Sequence, residues 1–71
     1  MNYETMFEHL VRDNPEIKKI LLKLYLEPER ATKWLLVPKA QLNGVAPAEL
    51  LELEPNRVLD LLNQIQRGDF S

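Results

Sequence analysis

Five prolines, at positions 15, 28, 38, 47 and 55, cut a chain of 71 residues into short segments. Proline fixes φ near −65° and has no amide hydrogen. It is accepted at the first position of a helix and interrupts one that reaches it from the N-terminal side. Any helix here is therefore short, and the prolines stand where helices can begin.

The apolar spacing agrees. Residues 2–13 place Tyr3, Met6, Phe7, Leu10 and Val11 on one helical stripe, with Glu8 and Arg12 an i,i+4 pair on the other side. Asn14-Pro15-Glu16 then reads as an N-cap, a proline at the first helical position and an acid in the first turn. Ile17, Ile20, Leu21 and Leu24 form the inner face of the second helix. Leu22, Tyr25 and Leu26 widen that face beyond one buried stripe and point to a second surface, an oligomer interface. Glu27-Pro28 starts a third helix with Ala31, Trp34 and Leu35 inside and Glu29–Lys33 paired outside; Pro38 ends it. Residues 38–46 read as a loop turned by Asn43-Gly44 and pinned by Leu42. Pro47 opens a short helix through about Leu53 with Leu50 and Leu51 buried. Pro55 opens the last, where Val58, Leu61, Leu62 and Ile65 repeat at three and four before Gly68 caps it. No stretch alternates with a period of two. The expected fold is all-α, one domain over residues 1–71, a compact bundle of four or five short helices.

Composition bounds the function. Without cysteine there are no disulfides, thiolate nucleophiles or cysteine-ligated zinc. A small scaffold without such staples gains stability by associating, which favours a homodimer or a standing complex. Nine Lys+Arg against eleven Asp+Glu leave a net charge of −2, without the basic excess of a nucleic-acid binder. Apolar runs fall far below the roughly 20 residues that span a bilayer, and no signal peptide is visible, so a cytoplasmic protein is expected.

The chemistry-bearing residues are sparse. His9 is the only histidine and lacks evident partners, so it reads as a solvent-facing side chain. Glu49, Glu52 and Glu54 are spread around a short helix, where acids near the start answer the helix dipole. Lys18, Lys19 and Lys23 give the second helix a small positive side, read as a solvated face. Trp34 reads as core. No phosphate loop or nucleophile elbow is present. No enzyme, metal site or cofactor is expected.

From residue 31 onward the order of residues is more specific. Ala31-x-x-Trp34-Leu35-x-x-Pro38-x-x-x-Leu42-x-Gly44-x-x-Pro47-x-Glu49-Leu50-Leu51 is followed by Val58-x-x-Leu61-Leu62-x-x-Ile65-x-x-Gly68. This pattern, confined to residues 31–71, resembles the toxin-binding domain of Xre/MbcA/ParS-type antitoxins, the partners of RES-domain toxins; residues 1–30 are N-terminal helices outside it. Family members commonly carry asparagine where this chain has Lys39, and often a glycine where it has Glu54-Pro55. The resemblance implies an antitoxin-like protein-binding module whose C-terminal segment occludes the active site of a NAD-consuming toxin. Here that segment is Arg67, Gly68, Asp69, Phe70 and Ser71. The rival readings are a small DNA-binding transcriptional regulator, against which the charge balance speaks, and a structural homo-oligomer.

Overall fold

The computed structural model describes residues 2–68. Five α-helices run in the order α1 (Tyr3–Leu10), α2 (Pro15–Tyr25), α3 (Pro28–Leu36), α4 (Pro47–Leu50) and α5 (Pro55–Arg67), with one 3₁₀ turn at Ala40–Leu42 between α3 and α4. The described residues contain no strand; the one element of β pairing among them is an isolated antiparallel bridge between Lys39 and Val45. The all-α bundle expected from the sequence is the fold observed.

Four of the five prolines occupy the first position of a helix, and Pro38 follows the extended Val37 that ends α3. α1 is started by Asn2, whose side-chain oxygen accepts from the Thr5 amide at 2.8 Å. It stops at Leu10, and residues 11–13 turn into α2. Two local expectations give way to tertiary partners. Asn14 precedes α2 but makes no side-chain cap; its Nδ2 donates to the Leu51 carbonyl at 3.4 Å and ties the α1–α2 turn to the end of α4. Glu8 pairs with Lys18 at 2.7 Å rather than with Arg12, joining α1 to α2. The Glu29–Lys33 pair forms as expected, at 3.0 Å.

The core is one cluster. Phe7, Val11, Leu21, Leu35, Val58 and Leu62 are almost wholly buried, with Ile17, Leu42, Leu50, Leu51 and Leu61 around them. α1 packs along α3, while α2 packs on α3 and α5. Burial on this scale, at about 25 cal/mol per Å² of apolar surface, is what holds such short helices in shape, because none is long enough to be stable alone. Ile65 and Leu24 are half-buried at the edge of the cluster. Trp34 is half-buried too, on the flank of α3, while its neighbour Leu35 fills the core. α4 is shorter than the spacing suggests: its helix ends at Leu50 and residues 51–53 continue as a turn.

Candidate partner-binding surface

α5 ends at Gly68, whose left-handed backbone (φ +77°) lets its amide reach the carbonyls of Gln64 and Ile65. Nothing lies within 4 Å of where a Cβ would sit, so glycine is required here by backbone conformation and not by space. Arg67 is the last helical residue and is exposed. Asp69, Phe70 and Ser71 lie outside the described residues.

The loop before α4 is built by backbone hydrogen bonds. The Lys39 amide donates to the Val45 carbonyl, and the Lys39 carbonyl accepts from the amides of Leu42 and Gly44. Asn43 (φ +59°) and Gly44 (φ +81°) make the reversal, with the Val45 amide donating to Leu42, while Leu42 itself is buried. Glu49 accepts from the Ala46 amide through Oε2 at 3.2 Å, half of a capping box; alanine supplies no oxygen for the other half. Glu49 thus has a local structural role. Glu54 pairs with Arg57 at 3.3 Å, and Glu52 is exposed.

At the α2–α3 corner the three residues of the expected oligomer interface separate. Leu22 and Tyr25 are half-buried against the core, and the Tyr25 and Trp34 rings approach with centroids 6.2 Å apart. Burial pushes the Tyr25 phenol above its ordinary pKa. Leu26 is 77% exposed. Its backbone is left-handed (φ +64°), and the Glu27 amide donates across it to the Tyr25 carbonyl at 2.7 Å, the three-residue bond of a tight γ-type turn. The sequence carried a signal for this: Glu27 precedes a proline, which disfavours the helical region there, and Glu27 is indeed extended (φ −121°, ψ 140°), so the reversal falls to Leu26. Further exposed apolar side chains that periodicity did not single out are Leu36, Val37 and Leu53.

The Lys39 ammonium stands over Trp34, 5.0 Å from the ring centroid. Partial burial pushes this amine below its ordinary pKa, while the electron-rich ring face favours the charged form. On the opposite flank of α3, Lys33 lies 5.7 Å from the Tyr3 ring centroid; hydrogen bonding to Glu29 raises its pKa. Thr32 is fully buried and its hydroxyl donates to the Tyr3 carbonyl at 3.4 Å.

His9 is exposed and lines an open cleft of about 430 Å³ with Arg12, Asp13 and Glu52. Among the described residues, no three histidine, cysteine or acidic side chains are grouped to hold a metal ion, and no helix is long and apolar enough to cross a membrane. No protein-family profile, curated protein or solved structure matches this chain.

Proposed function

We propose that the chain is an antitoxin-like protein-binding module that neutralises a RES-type NAD-consuming toxin by occluding its active site, acting as a cytoplasmic homodimer. The observation that carries this reading is the end of α5. A left-handed Gly68 stops the helix, and a helix stop is what a C-terminal segment that enters another protein's cleft requires. In that segment Phe70 supplies an aromatic anchor of the kind that dominates interface energetics. Asp69 supplies a carboxylate able to pair with the cations that a NAD-consuming site uses to hold phosphates. The helices beneath serve as scaffold: Leu35, Leu42, Leu50, Val58, Leu61 and Leu62, all positions of the antitoxin-like pattern, are buried.

The reading is tested by ending the chain at Gly68 and co-expressing it with a RES-domain toxin that the full chain neutralises. The truncated protein is expected to keep its helical spectrum and melting temperature while protecting cells poorly. Protection equal to that of the full chain would place recognition elsewhere.

A further inference from the structure

Leu26 is a large apolar residue in the backbone conformation that suits leucine least, with its side chain in water. Glycine or asparagine would adopt φ +64° with less strain, and burial within the chain returns almost nothing for the leucine. Neither the turn nor the core therefore accounts for this side chain. An intermolecular contact does, because the same turn that strains the backbone thrusts the side chain outward from the corner between α2 and α3.

The charges beside it indicate which partner. Lys23, three residues before Leu26, is exposed and has no ion-pair partner among the described residues. Glu27, the residue after Leu26, has only a long contact to Arg30, 3.7 Å between two strongly exposed side chains. A cation and an anion thus flank one apolar residue on opposite sides along the chain. Such a patch is complementary to itself. Rotated by a two-fold axis through Leu26, Lys23 of one copy meets Glu27 of the other twice over, as an isologous contact demands. Leu22 and Tyr25, half-buried in the last turn of α2, add apolar surface near it.

We infer that this corner is the contact between two copies of the chain, with Leu26 on the symmetry axis and reciprocal Lys23–Glu27 pairs around it. The inference rests on the homodimer proposed above and names its surface. Because the corner is formed by the α2–α3 turn, the segment after Gly68 is not called on to make it.

Sedimentation equilibrium of the full chain provides the test. The wild type is expected to dimerise. Leu26→Asp, and separately Leu26→Gly, should weaken dimerisation at least tenfold with the helical spectrum intact; at dilutions where the wild type is itself monomeric, Leu26→Gly should also keep or raise the melting temperature, since it relieves the turn. Lys23→Glu and Glu27→Lys should each weaken it on the order of tenfold, because each turns two attractive pairs into two repulsive ones. The double variant carrying both changes should recover, and an equimolar mixture of the two single variants should form the mixed dimer in native mass spectrometry. A wild-type dimer unaffected by these changes overturns this surface and leaves the homodimer standing. A wild type that stays monomeric at high micromolar concentration overturns the homodimer itself, and toxin protection then judges the antitoxin reading alone.

Discussion

Trp34 carries the largest apolar side chain of the molecule, but it is Leu35 beside it that is wholly buried. The spacing of Ala31, Trp34 and Leu35 marks a helix face without saying how wide the buried part of that face is. α3 turns Ala31, Thr32 and Leu35 inward, so Trp34 falls on the flank, against Tyr25 and under Lys39. Its contribution is then a half-buried ring plus one aromatic contact and one cation–π contact, the last two worth about 0.5–1.5 and 0.5–1 kcal/mol. Trp34→Ala is expected to cost about 2 kcal/mol, less than the roughly 3–5 kcal/mol of a tryptophan enclosed in a core. Urea denaturation followed by circular dichroism measures it, and an unchanged midpoint would show that the ring contributes nothing to the fold. Thr32 teaches the converse. A threonine in a polar-looking stretch is fully buried because the Tyr3 carbonyl of α1 lies within reach of its hydroxyl.

The helices begin and end largely on local chemistry. Proline at the first position, Gly68 at the last cap and the Asn43-Gly44 reversal are all readable as written, since each follows from the dihedral freedom of one or two residues. Gly44 is the most exacting of them, at φ +81° with no neighbour within 4 Å of the place a Cβ would take. Gly44→Ala meets no clash, only the left-handed backbone, and is expected to destabilise the protein by about 1 kcal/mol. Thermal unfolding of the variant checks this; a melting temperature equal to wild type would mean that the loop relaxes into another turn. Asn14 and Glu8 show where local rules stop. Both had a partner available within their own helix or turn, and both bond to a different element.

The molecule as a whole depends on few contacts between elements. With a Cα radius of gyration of 11.2 Å, its core is one cluster with Leu21 fully enclosed in it, on the helix that packs against both α3 and α5. A chain of this size carries on the order of 4–10 kcal/mol of stability at typical per-residue values. Leu21→Ala should remove about 3 kcal/mol through lost burial and the cavity left behind. The expected result is a large drop in the urea midpoint with the transition still single, because no helix here is stable apart from the cluster. A two-step transition would show that α2 unfolds independently of the remainder.

The sequence by itself determined the helical class, the order of the helices and most of their boundaries, leaving their number at four or five, because prolines, glycines and a three-to-four apolar spacing act within a turn or two of chain. It also marked Leu22, Tyr25 and Leu26 as a surplus. Only the tertiary structure divided that surplus, covering much of Leu22 and Tyr25 with neighbouring elements and leaving Leu26 in water on a left-handed turn. It likewise set Lys39 on Trp34 and Glu8 beside Lys18. Those outcomes depend on how helices cross and which flanks meet, distances between residues remote in the chain that no local periodicity encodes.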